Sequence, residues 1–153
     1  MSAGLFLRND AGRRGVPTKQ SFQTWIDAIP RLPRNAQVNL LIVDAHAGRR
    51  FNRQYRHKDY ATNVLSFSWE PEPGAAQQSK SAALLGDLVI CAPVVAREAA
   101  EQGKRPREHW AHLTIHGVLH LLGHDHETPA EARRMEALEI RILAELGIRN
   151  PYE

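Results

Sequence analysis

The sequence predicts an α+β fold, a mixed sheet of about four strands with helices packed on it. Three short runs, VNLLIVD (38–44), NVLSFSW (63–69) and LLGDLVIC (84–91), have the length and the β-branched, apolar composition of strands. Around them, apolar residues return at the helix period, and prolines and glycines punctuate the ends. The chain has 153 residues, no internal repeat and no linker-like break, so residues 1–153 are expected to form one domain able to bury a core.

Taken in order, GLFLR (4–8) suits a short strand, followed by a polar loop. From Ser21 to Ile29, Phe22, Trp25, Ile26 and Ile29 stand at i, i+3, i+4 and i+7, a helix stripe that Pro30 and Pro33 stop. VNLLIVD is apolar enough for a central strand, and residues 45–59 suit a helix with a basic face leading into a turn. NVLSFSW alternates Leu65, Phe67 and Trp69 on one side. Residues 70–83, rich in Pro, Gly, Ser and Ala, read as a long mobile loop before the strand LLGDLVIC. Pro93 fits the first turn of a helix that Gly103 ends, and Pro106 opens the next. Thr128-Pro-Ala-Glu131 reads as a capping box, and Ala132, Met135, Leu138, Ile142 and Leu146 follow the helix period up to Gly147. The order of the strands does not follow from these patterns.

Composition narrows the setting. Apolar residues make up 42% and charged residues 24%, ordinary for a globular protein, and no apolar run approaches a membrane span. The N-terminal stretch lacks an apolar segment of signal-peptide length, and the single cysteine, Cys91, suits a reducing cytoplasm as a small buried hydrophobe. The net charge of +3 is unevenly spread: residues 1–126 hold 16 Lys/Arg against 11 Asp/Glu, and the remainder 4 against 6. A positive body is compatible with a polyanionic partner such as RNA.

Chemistry concentrates in residues 116–126, HGVLHLLGHDH. Helix positions i and i+4 differ by roughly 40° of arc one turn apart, so His116 and His120 project from one face. Gly123 is able to take the left-handed conformation that ends a helix, which would let the chain double back with His126 as a third ligand. Three imidazoles around one ion with an open fourth position is a pattern of catalytic zinc, so one Zn2+ per chain is expected. HxxxHxxGxxH is also the spacing of the metzincin proteases, but Gly117 stands where they carry the glutamate that serves as general base. Peptidase chemistry is therefore disfavoured. Of the remaining local histidines, His109, His112 and His124 are expected at the surface, facing RNA, or behind the ligands.

With the motif placed, the chain resembles the YbeY family of bacterial endoribonucleases. The segments YRHKDYATNVLSF (55–67), LLGDLVIC (84–91), HGVLHLLGHDH (116–126) and the closing MEALE and NPYE resemble family segments in the same order. The resemblance implies zinc on His116, His120 and His126, and single-strand-specific RNA cleavage. It further implies 3′-end maturation of 16S rRNA, ribosome quality control, and a catalytic arginine at Arg56. Partners would be single-stranded RNA, the small ribosomal subunit and its assembly factors, with no DNA and no membrane. The family usually has tyrosine where this chain has His124. Arg56 also belongs to a basic run with Arg49, Arg50, Arg53 and Lys58, which suits phosphate contacts that do not read sequence.

No residue stands out as general base; Asp125, Asp59 and Asp87 are equally readable as helpers or structural groups. Two other readings remain open at this point: a metal-dependent hydrolase of another substrate, and a non-catalytic ribosome-assembly factor with a structural zinc.

Overall fold

The computed structural model describes residues 3–33, 35–56, 62–68, 83–124 and 127–153. Four strands form one mixed sheet: β1 (Gly4–Asn9), β2 (Ala36–Val43), β3 (Val64–Ser68) and β4 (Ala83–Cys91). Their order is β1-β2-β4-β3, with β1, β2 and β4 parallel and β3 antiparallel to β4 at one edge. Five helices accompany them among the described residues: α1 (Lys19–Asp27), α2 (Ala45–Arg56), α3 (Ala92–Gln102), α4 (Pro106–Leu121) and α5 (Pro129–Glu145). The α+β architecture expected from the sequence is thus observed. Residues 70–82 of the expected loop, and Trp69, lie outside the described residues, while Ala83 already belongs to β4.

Strand alternation divides the interior in two. Val38, Leu40 and Ile42 of β2, with Leu88 and Ile90 of β4, face the larger core, which α1, α4 and α5 close. Val43, Val89 and Cys91 turn the other way and pack with Leu65 and Val94 beneath Phe51 of α2. Cys91 is buried, as its apolar neighbours suggested. α1 begins after Thr18, whose hydroxyl accepts from the Ser21 N–H at 3.3 Å, and its stripe of Phe22, Trp25 and Ile26 is fully inside. Phe22 meets Trp110 of α4 edge-on at 5.8 Å, which fixes α1 against α4.

α4 is the central helix. Trp110, Ala111, Leu113, Ile115, Val118 and Leu119 bury nearly its whole circumference, as expected for a helix enclosed on all sides. Ser66 Oγ of the edge strand β3 donates to the Gly117 carbonyl at 3.2 Å, tying that strand to the turn bearing His116. The capping box holds as expected, with Thr128 Oγ1 accepting from Glu131 N–H at 3.1 Å and donating to its carboxylate at 3.0 Å.

Candidate metal centre and catalytic cleft

The last turn of α4 sets the two central histidines. Gly123 takes φ +100°, its N–H bonds to the His120 carbonyl at 3.0 Å, and the His124 N–H bonds to that of Leu119 at 3.0 Å. That paired arrangement is a Schellman ending, which satisfies the terminal carbonyls and turns the chain sharply. The turn predicted from Gly123 is present. Asp125 and His126 lie beyond it, outside the described residues, as does Asp59.

His116 and His120 stand one turn apart with ring centroids 4.7 Å from each other. Their Nε2 atoms approach to 3.2 Å. Two ligand nitrogens at about 2.0–2.1 Å from a tetrahedral zinc would be about 3.3–3.4 Å apart, so this spacing matches the edge of such a site. Both residues line a cleft of about 390 Å³ together with Asn52, Arg56, Asn63 and Ser66. Arg56, at the end of α2, is brought beside the histidine pair across about sixty residues of sequence.

Behind His116 lies a polar cluster not foreseen from the sequence. Glu139 of α5 is 0% exposed and hydrogen-bonds through Oε1 to His116 Nδ1. Its other oxygen accepts from the Tyr152 hydroxyl. His112 Nε2 lies 3.5 Å from the same oxygen and 3.3 Å from the Tyr152 hydroxyl. Burial would raise the Glu139 pKa, but hydrogen bonds from His112, His116 and Tyr152 hold it down at about 2. Burial and the bond to this carboxylate push the Tyr152 phenol upward. His112, His116 and Glu139 bring ligand-type atoms within 4.8 Å of one another, so the cluster has the composition of a metal site.

His109 and His112 are buried, at 3% and 8% exposed, so of the placements expected for them the surface does not hold, whereas His112 does stand behind His116. The reason is that from His109 onward nearly every side of α4 is covered by neighbouring elements, although Pro106 and Arg107 in its first turn are exposed. His109 Nε2 meets Glu98 of α3 at 2.9 Å, and burial, partly offset by that carboxylate, lowers its pKa. His124 is exposed and lines a separate cavity of about 610 Å³ with Arg31 and Arg141. Asp87 bonds to Asn39 at 3.0 Å within the sheet and lines a cavity formed with Phe6 and Tyr55, not the histidine cleft. Glu139 and Tyr152 were missed by sequence reasoning. The available signal was that Glu139 stands at i+4 from Met135 and three before Ile142, on the apolar stripe of its helix.

Fold and site together define an α+β protein that presents a histidine pair of metal-ligand spacing in an open cleft beside an arginine. The family model described as Endoribonuclease YbeY matches residues 9–147, and the chain belongs to that family. A relative from Stenotrophomonas maltophilia (strain K279a), named Endoribonuclease YbeY, is 57% identical over 141 residues, covering 92% of this chain and 87% of its own. One of the same name from Halorhodospira halophila is 52% identical over 139 residues, covering 90% and 89%. A protein from Thermotoga maritima, solved in solution, shares the fold with a TM-score of 0.58 at 20% identity, covering 94% of this chain and 91% of that one.

Proposed function

We propose that this protein is a zinc-dependent, single-strand-specific endoribonuclease that hydrolyses RNA phosphodiester bonds. The observation that carries the reading is the His116–His120 Nε2 spacing of 3.2 Å inside the cleft that Arg56 also lines. His116 and His120 would hold the ion, with His126 as the third ligand, an assignment supported by the HxxxHxxGxxH spacing. Imidazole donors at this number suit zinc better than the oxygen-seeking magnesium or calcium. When bound, the ion supplies Lewis acidity toward a phosphate oxygen or the attacking water.

Arg56 offers a planar guanidinium for paired, charge-assisted contacts to the scissile phosphate. The exposed Arg49, Arg50 and Arg53 on the same helix extend a positive track for the neighbouring phosphates. The cleft is open and lined by Asn and Ser side chains, suiting an unpaired strand. The family to which the chain belongs supports a role in 3′-end maturation of 16S rRNA and in ribosome quality control. The small ribosomal subunit and its assembly factors would then be partners, and the setting cytoplasmic. No helix among the described residues is long and apolar enough to cross a membrane.

The test is cleavage of a single-stranded RNA, its duplex and a peptide panel by metal-stripped protein before and after one equivalent of zinc. Zinc-restored cutting of the single strand alone is expected. Peptide turnover in place of RNA cutting would favour another hydrolase, and zinc uptake without any cleavage would favour a structural metal in an assembly factor.

A further inference from the structure

The buried cluster behind His116 has a definable task. Glu139 is the only buried carboxylate among the described residues, and an unpaired charge there would be strongly disfavoured. Its Oε1 meets His116 Nδ1, and an imidazole set against a carboxylate donates its ring N–H to it. In a neutral ring the lone pair then lies on Nε2, the nitrogen that faces His120 Nε2 in the cleft. The second oxygen is held by the Tyr152 hydroxyl, which leaves His112 to donate from its own Nε2. Tyr152 comes from the far end of the chain, 46% exposed overall, yet its hydroxyl reaches the interior. Its segment is pinned along α4, where the Arg149 N–H meets Glu108 at 3.4 Å and the Tyr152 N–H bonds to Asn150 Oδ1 at 2.8 Å.

Resting on the metal reading above, we propose that Glu139 is a positioning residue that locks His116 in the Nδ1–H tautomer and aims its Nε2 at the metal, and that Tyr152 holds Glu139 in place. Carboxylates commonly orient metal-bound imidazoles in this way. The alternative is that His112, His116 and Glu139 form the metal cage themselves. Against it, His116 turns its Nε2 toward His120 in the cleft and only its Nδ1 toward Glu139, so the ring already faces the cleft side with one nitrogen.

The experiment uses the full-length, metal-stripped protein and measures zinc affinity by competition with a chromogenic chelator, with circular dichroism to verify folding. His120→Ala should weaken binding by about 100-fold or more, as loss of a direct ligand requires. Glu139→Gln, which keeps the shape and removes the charge, should weaken it by about 10- to 100-fold. Tyr152→Phe should cause a smaller loss, and adding it to Glu139→Gln should change nothing further, because it acts through that carboxylate. His112→Gln should bind zinc within about threefold of wild type. Wild-type affinity in folded Glu139→Gln would overturn the positioning role. Abolished binding in His112→Gln with His120→Ala intact would overturn it in favour of the cage. Wild-type affinity in His120→Ala with His112→Gln also intact would sink the metal reading itself. Should Glu139→Gln fail to fold, long-range 1H–15N correlation on the metal-free wild type reads the His116 tautomer directly. A proton on Nε2 would refute the proposal, and one on Nδ1 would support it.

Discussion

Gly86→Ala probes how the edge strand holds the cleft open. Gly86 lies in β4 at φ +148°, next to the register shift between Gln37 and Val38, and pairs with Ser68 of β3. A Cβ there would stand 2.1 Å from the Phe67 carbonyl oxygen and 2.9 Å from Leu121 Cδ2 of α4. Carbon–oxygen contacts settle near about 3.3 Å, so β3 would have to retreat by roughly 1 Å. A side chain at such a φ costs about 1–3 kcal/mol, and overpacking a further 1–3 kcal/mol. A total of about 2–6 kcal/mol corresponds to a Tm loss on the order of 10 °C for a chain of this size. Gly103→Ala is the control, since Gly103 has φ +64° but nothing within 4 Å of the added carbon. It carries the backbone strain without the collision. β3 and the residue just before it supply Ser66 and Asn63 to the cleft, and Leu121 neighbours His120, so Gly86→Ala should also lose RNA cleavage well below its melting range. The assay is thermal unfolding of both variants, with cleavage at 25 °C normalised to folded protein. Melting of Gly86→Ala within about 2 °C of Gly103→Ala would refute the claim that backbone contact between β3 and β4 demands glycine.

Three further outcomes are expected. Arg56→Ala should reduce single-turnover cleavage at saturating protein by about 100-fold or more with zinc content unchanged, as for a removed oxyanion donor. Arg53→Ala should mainly weaken RNA binding and lower its salt slope by about one unit, and equal small losses in both would demote Arg56 to an electrostatic contact. Zinc at about 100 times its dissociation constant should stabilise the protein by about 2.7 kcal/mol, raising Tm by roughly 5–10 °C, and the shift should vanish in the His116→Ala/His120→Ala double variant. Finally, burial lowers the His109 pKa below its ordinary 6.5, so the unfolded chain takes up that proton first as pH falls. Stability from neutral His109 is therefore complete above pH 6.5 and declines below it. The wild-type advantage over His109→Gln in urea unfolding should shrink on going from neutral to mildly acidic pH, and an advantage that grew would contradict the sign.

Local signals in the sequence were sufficient wherever a residue acts on its own neighbours. Thr128 and Glu131 make a capping box three residues apart, Gly123 ends its own helix, and Phe22, Trp25 and Ile26 share one stripe. His116 and His120 belong here too, because helix geometry alone sets them side by side. What failed was inference across the fold. The order β1-β2-β4-β3 depends on which strand edges meet, and apolar alternation is the same for any order. Which of the surface, an RNA-facing position or a place behind the ligands His109 and His112 would take was not legible, because carboxylates on two other helices, Glu98 and Glu139, are what make their burial tolerable. Glu139 in turn looks like any acidic residue of a charged helix until Tyr152 and α4 are seen around it.

The same distinction explains Gly117. From the motif, it is the position where a zinc protease carries its base, and glycine there reads as a missing catalytic group. In the fold it is a packing position. A Cβ at Gly117 would lie 2.8 Å from Leu88 Cδ2 of β4 and 3.3 Å from Val64 Cγ2 of β3. A larger side chain would therefore press α4 away from the sheet and carry His116 with it, since the residues are adjacent. Closeness of the helix to β3 is also what allows Ser66 to reach the Gly117 carbonyl and places Asn63 and Arg56 around the histidine pair. Glycine at 117 thus accounts for two properties at once. It denies the site a protease-type base on its own helix, and it seats that helix deeply enough for side chains from β3 and α2 to complete the cleft. Any acid or base for RNA hydrolysis must then come from a group other than the one at position 117.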